Sequence, residues 1–140
     1  QEKVRSSFAK PPAMVTLGIE ITFLDPGKIE LAMPYNRDFT QQHGFVHAGI
    51  LSTALDSACG YAAFSLMEDD AAILTVEFKT NLLAPANGES FLFRAEVVKP
   101  GRTLTVVNAT AYALKDGTEK AIATMTGTMM AIVGRAEIKQ

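Results

Sequence analysis

Gln41-Gln42-His43-Gly44-Phe45-Val46-His47-Ala48-Gly49-Ile50-Leu51-Ser52-Thr53-Ala54-Leu55-Asp56 is a glycine-containing loop that runs into a helix carrying one carboxylate. From His47 to about Met67, Ile50, Leu51, Ala54, Leu55, Ala58, Cys59, Ala62, Ala63 and Leu66 recur at helical spacing. They cover most of the circumference, and a helix apolar nearly all round is a buried one. The remaining narrow stripe runs through Gly49, Thr53, Asp56 and Gly60. Asp56 stands about two and a half turns into the helix. Charges are rarely buried without a partner or a purpose. Ser52, Thr53, Cys59 and Gly60 occupy the neighbouring helical positions, and none is a cation. The carboxylate must therefore meet solvent, a hydrogen-bonding group or another chain.

Working outward, Leu17 to Leu24 alternates in part, Asp25-Pro26-Gly27 is a turn, and Lys28 to Met33 alternates again. Pro presets φ and Gly tolerates positive φ, so these two runs predict a β-hairpin. Residues 2–9 predict a short helical arm that stops before Pro11-Pro12. Beyond the helix come four strand-like runs: Ala72 to Leu82, Ser90 to Val98, Thr103 to Leu114 and Lys120 to Val133. Pro85-Ala86-Asn87-Gly88, Lys99-Pro100-Gly101 and Lys115-Asp116-Gly117 separate them. The order ββ, helix, ββββ predicts the α+β class: a six-stranded antiparallel sheet wrapped around one long central helix.

The 140 residues suit one domain, 1–140, with residues 1–12 as its N-terminal arm. A net charge of -2 and a pI near 5.7 offer no basic field for nucleic acid. An anionic ligand would need a local basic patch. Cys59 is the only cysteine, so no internal disulfide and no cysteine-rich metal framework is expected. That fits a reducing compartment, and a cytoplasmic location is the expectation. With only two histidines besides, no metal site is expected. Ile50 to Met67 is broken by Ser52, Thr53, Asp56, Ser57 and Gly60, so no membrane span is expected. No signal peptide is visible, and the sequence begins with Gln1 rather than Met.

The loop and helix resemble the phenylacetic-acid-degradation type of hotdog-fold acyl-CoA thioesterases, and the 4-hydroxybenzoyl-CoA thioesterase of that clade is similar. The family signature reads roughly Asn/Gln-x-x-Gly-x-x-His-Gly-Gly, followed by an Asp or Glu. The resemblance covers about Pro12 to Val133. It implies a hotdog fold, acyl-CoA as substrate and no cofactor apart from the coenzyme A of the substrate. Gln41 falls where the family polarises the thioester carbonyl or places the water. Gly44 and His47 match the loop and are carried over as substrate-binding positions. Asp56 falls on the carboxylate that acts as nucleophile or general base. Thr75 falls on a hydroxyl that holds the water or the carboxylate. Ala48 replaces the first glycine of the pair; it keeps the backbone N–H, and its added methyl bears on substrate scope.

Physical chemistry points the same way. Thioester hydrolysis develops negative charge on the carbonyl oxygen. Free N–H groups at a helix N-terminus stabilise such charge, and Ala48 and Gly49 sit there. Ala48 and Asp56 are separated by roughly 12 Å along a helix, too far to touch one carbonyl. If both act, Asp56 in each site must come from a second, antiparallel helix. The spacing thus predicts a two-fold homodimer, or a dimer of dimers, with composite sites. The family's dimeric sites agree.

Other residues have plainer readings. His47 is expected to bond the loop backbone, and His43 to be an exposed loop residue. Cys59 is expected to be a small buried hydrophobe. Lys99-Pro100-Gly101-Arg102 is first a turn, and Lys99 and Arg102 are the candidate cations for coenzyme A phosphates. Arg37 and Lys79 are weaker candidates. Two other functions compete. A hotdog dehydratase or hydratase would pair His43 with Asp56, but the proline-rich loop and the Asp-x-Asn-x-x-His motif of those enzymes are absent. A non-catalytic acyl-CoA binding module would do without the carboxylate that Asp56 supplies.

Overall fold

A computed structural model describes residues 1–135 and 137–140. Its elements are α1 (Glu2–Phe8), α2 (Pro12–Leu17), β1 (Glu20–Asp25), β2 (Lys28–Pro34), a 3-10 turn (Arg37–Phe39), α3 (Ala48–Phe64), β3 (Ala72–Leu82), β4 (Ser90–Lys99), β5 (Leu104–Lys115) and β6 (Thr118–Ile132). The strands form one six-stranded sheet in the order β1-β2-β4-β5-β6-β3. Every neighbouring pair is antiparallel. The sheet wraps α3, which is the hotdog arrangement.

Alternation sets which side faces the helix. Ile29, Leu31 and Met33 of β2, Phe91, Phe93 and Ala95 of β4, and Val107, Ala109, Ala111 and Ala113 of β5 are buried inward. Between Ala111 and Tyr112 the pairing with β6 shifts by one residue. Ile122 is the extra residue, so Ile122 and Ala123 are both buried although adjacent. The Ile122 carbonyl accepts from Leu83 N–H at 2.8 Å and Ala84 N–H at 3.2 Å, just where β3 ends. On the sheet's outer face Arg94 bonds Glu30 at 2.7 Å and grips both oxygens of Glu119 at 2.9 and 2.7 Å. Its guanidinium also lies 4.7 Å from the Tyr112 ring centre. One arginine thereby ties β2, β4, β5 and β6.

The sheet face of α3 is built from Ala54, Leu55, Ala58, Cys59, Ala62 and Ala63, all buried. Gly127 of β6 lies beneath; a Cβ there would stand 3.7 Å from the Cys59 Cβ and 3.0 Å from the Met129 methyl. Fully burying a side chain such as Leu55 contributes about 1.5–3 kcal/mol. The C-terminal half of α3 is covered on its other side by α1. Phe8 meets Tyr61 edge-on at 5.3 Å, and Ser7 donates to the Tyr61 hydroxyl at 3.2 Å. Lys3 donates to the Met67 carbonyl. The stripe is open at Gly60, where an added Cβ would meet no atom of the described residues within 4 Å.

Two expectations need correction. The helical arm expected over residues 2–9 is followed by a second helix, Pro12–Leu17, where no element is expected. Pro12 sits in its first turn, where its missing N–H costs nothing, so the Pro11-Pro12 pair starts a helix as well as stopping one. The first strand consequently begins at Glu20 rather than Leu17, and β6 begins at Thr118 rather than Lys120. The arm also belongs to the core, since Val4 and Phe8 are buried with it.

The β4–β5 turn yields a test. A Cβ on Gly101 would stand 1.8 Å from the Leu104 carbonyl oxygen, so the backbone must move to admit it. Gly101→Ala is expected to lower stability by about 1–3 kcal/mol in urea unfolding. An unchanged midpoint would show that the turn adapts freely.

Candidate active site

The motif loop is held by its own backbone. Gln41 N–H donates to Phe45 O at 2.9 Å, and Gly44 N–H donates to Gln41 O at 3.0 Å. Gly44 has a φ of 86°, a conformation that favours glycine. Tyr35 adds a hydroxyl bond to the Gly44 carbonyl at 3.1 Å. The Gln41 side-chain oxygen accepts from His43 N–H at 2.5 Å and Phe45 N–H at 3.3 Å. With its oxygen so engaged, the side chain of Gln41 has its NH₂ group left to offer.

Val46 N–H and His47 N–H then anchor the chain to Ala86 O at 3.1 Å and Phe39 O at 3.0 Å. His47 is the N-cap of α3, and its Nδ1 accepts from Gly49 N–H at 2.9 Å. Ile50 and Leu51 N–H both donate to the His47 carbonyl. The amides expected to serve at the helix start are therefore not equivalent. That of Gly49 is taken by the imidazole, and that of Ala48, the first helical residue, has no acceptor among the described residues. His43 is exposed on the loop.

Asp56 lies on the open stripe of α3, half-buried. Thr75 of β3 donates its hydroxyl to Asp56 Oδ1 at 2.8 Å. The same hydroxyl lies 3.5 Å from the Met129 sulfur, its partner in the β3–β6 register. Met129 was not expected at the site; the register that places it depends on the pairing shift between Thr75 and Glu77. Asp56 forms no ion pair among the described residues. Burial pushes its carboxyl above the ordinary 3.8, against the opposing pull of the Thr75 bond. Cys59, one turn on, is pushed up to about 12, first by burial and then by the Asp56 charge. A thiol so held is not a nucleophile near neutral pH.

Lys99 and Arg102 lie at the opposite end of the molecule from the motif loop. Their turn borders a cavity of about 490 Å³ with Leu66, Met67, Glu68 and Thr103, past the C-terminus of α3. The structure thus brings Asp56 and Thr75 together, gathers Gln41, Gly44, His47, Ala48 and Gly49 at the helix start, and keeps Lys99 and Arg102 apart from both. Among the described residues, no three His, Cys, Asp or Glu side chains gather as metal ligands. Nor is any helix there long and apolar enough to cross a membrane.

Known proteins share this architecture. A thioesterase family protein of Silicibacter pomeroyi is 71% identical, with a TM-score of 0.94 over 95% of this chain and 98% of that one. The PaaI protein of E. coli, from its phenylacetic acid degradation operon, is 20% identical with a TM-score of 0.83 over 95% of this chain and 93% of that one, a likeness of fold. A Saccharolobus solfataricus protein named as a candidate esterase is 32% identical over 91 residues, 65% of this chain. The chain spans 64% of that relative's length. Residues 43–120, which carry the motif loop from His43 onward, α3 and strands β3 to β5, match the Thioesterase superfamily, and the chain belongs to that family.

Proposed function

We propose that the protein hydrolyses acyl-CoA thioesters to the free acid and coenzyme A, with Asp56 as nucleophile or general base. The observation that carries this reading is the half-buried Asp56 carboxylate on the open stripe of α3, bonded to Thr75 and to no cation. Thr75 fixes Oδ1 and leaves Oδ2 for the reaction. As general base, Oδ2 takes a proton from water while the water oxygen bonds to the thioester carbon. The carbonyl oxygen becomes negative, then the C–S bond breaks and the thiolate leaves with a proton. As nucleophile, Oδ2 bonds to that carbon, and the C–S bond breaks to leave an anhydride with Asp56. The coenzyme A thiolate departs and takes a proton from water, and a water molecule then hydrolyses the anhydride to the free acid and the Asp56 carboxylate. Both routes need the oxyanion stabilised. The unpaired Ala48 N–H at the helix start supplies a donor and the positive end of the helix dipole. The Gln41 NH₂ group supplies a second donor to the same oxygen or to the water.

Ala48 and Asp56 of one helix are roughly 12 Å apart, so one chain does not complete a site. We therefore place Ala48 and Gln41 against Asp56 of the partner subunit in a homodimer with antiparallel α3 helices, alone or as a dimer of dimers. The uncovered stripe of α3 supports this. So does β3, an edge strand that leaves Leu74, Val76 and Phe78 about half exposed. Antiparallel helices also bring the Lys99–Arg102 turn of one subunit to the end where the other polarises the carbonyl, within reach of coenzyme A phosphates. A reducing cytoplasm suits the free thiol of Cys59.

Asp56→Asn should lower thioester turnover by roughly 10²–10⁴ while the fold and dimer persist. Near-normal turnover in a folded dimer would make Asp56 structural. The same variant has a stability signature. The fold raises the Asp56 pKa, so the ionised form costs stability. That cost is absent below the unfolded value, grows as pH rises through it, and is complete above the folded value. Asp56→Asn should therefore be more stable than wild type at neutral pH, with the gain vanishing in acid; thermal unfolding across pH reads this directly.

Shared sites can be tested by mixing. Ala48→Pro removes the amide hydrogen at a position that accepts proline, because His47 already has φ -61° and ψ 138°. Each variant alone should be nearly inactive. A heterodimer of Ala48→Pro with Asp56→Asn contains one intact site and should regain about half the wild-type activity. No recovery in a verified heterodimer would mean that each subunit keeps its own Asp56.

Thr75→Val removes the bond that lowers the Asp56 pKa. The acid limb of the kcat/KM profile should move to higher pH. A limb that stays put would assign it to another group.

A further inference from the structure

The inner face of the β5–β6 hairpin changes character where α3 begins. Val107, Ala109, Ala111 and Ala113 face the helix and are buried, as are Ile122, Ala123 and Met125 opposite. Lys120 pairs with Ala113, so it shares that face, and Lys115 follows two residues further along the same strand. Both lysines thus extend the helix-side face past the helix N-terminus. With Phe45, Pro85, Asn87 and Asp116 they border an open cavity of about 410 Å³. Phe45 belongs to the motif loop, two residues before the N-cap of α3.

Charge pairing separates these lysines from Lys28 and Arg94, whereas Lys79 and Lys99 are likewise in no ion pair among the described residues. On the outer face Lys28 pairs with Glu96, and Arg94 with Glu30 and Glu119. Lys115 and Lys120 are in no ion pair among the described residues, although Glu119 is adjacent in sequence; it turns to the other face and Arg94. A cavity with two lysines against one carboxylate, Asp116, keeps an excess of positive charge, and with an amide and an aromatic ring beside them it suits a phosphorylated group with a planar part. In a chain of net charge -2, such a local patch is what a polyanionic substrate requires.

We infer that Lys115 and Lys120 bind the phosphate-bearing nucleotide end of coenzyme A, on the subunit whose Ala48 amide polarises the thioester. The inference rests on the thioesterase reading above. It adds a cationic wall at the end of the chain opposite Lys99 and Arg102.

The test uses the full chain and its Lys115→Glu/Lys120→Glu variant. Turnover is measured on an acyl-CoA and on the same acyl group carried by N-acetylcysteamine, which has no phosphate. Binding of free coenzyme A is measured by calorimetry. The variant should lose about tenfold more kcat/KM on the acyl-CoA than on the phosphate-free thioester, mostly through KM. Its KM for the acyl-CoA should depend less on salt than that of wild type. Coenzyme A binding should weaken to a similar degree. Equal losses on both thioesters, or unchanged affinity for coenzyme A, would overturn the assignment. If wild type binds coenzyme A but cleaves neither thioester, hydrolysis itself is wrong, and the calorimetric comparison still decides the lysines. A milder Lys115→Gln/Lys120→Gln pair gives the same readings should the double inversion disturb the hairpin.

Discussion

Ala54, Ala58, Ala62 and Ala63 let the α3 backbone settle onto the sheet, and Gly127 removes the last side chain from beneath it. That close seating is the constraint on which the other features rest. A helix held this tightly has a fixed rotation about its axis. Its rotation decides that Gly49, Thr53, Asp56 and Gly60 form the side turned away from the sheet. The same seating brings the β3 edge beside the helix, so that a threonine hydroxyl reaches the carboxylate. Larger residues at the alanine positions would lift the helix and cost packing in a core already filled by Phe91, Phe93 and Met125.

Charge is handled in opposite ways on the two sides of the sheet. Outside, Arg94 bonds first to Glu119 and then to Glu30, and its pKa rises. Glu119 is held below the usual carboxylate range, chiefly by its bond to Arg94. Inside, Asp56 has a single neutral donor, and burial outweighs it. The outer cluster satisfies its charges and joins strands. The inner carboxylate has one neutral donor and no cation among the described residues, which is the setting that the proposed acid–base role calls for.

Much of this was legible in the chain. The strand limits follow from alternation and turn residues: the run Ala72–Leu82, followed by the turn at Pro85-Ala86-Asn87-Gly88, has the same bounds in the sequence as in the structure. The buried helix and its stripe follow from a period of 3.6. What escaped depended on three-dimensional detail. The α2 helix is six residues long, too short to show periodicity, and its prolines read as a stop. Which amide at the helix start stays open depends on how the His47 ring is turned. The resemblance pointed to Thr75, but the hydrogen bond itself depends on a one-residue shift in the β3–β6 register. The facing of Lys120 likewise depends on the bulge at Ile122, which no local pattern announces.

That bulge has a reach beyond the two residues it turns inward. The Ile122 carbonyl receives the amides of both Leu83 and Ala84, and the pairing of the neighbouring strand ends there, at Leu82 with Ala123. The extra residue in β6 therefore acts as a length stop for the sheet's open border. Removing Ile122 would leave the β5–β6 pairing in register yet free the border strand to run on. One residue in the middle of a strand thus gauges how much unpaired backbone the molecule presents to a neighbour.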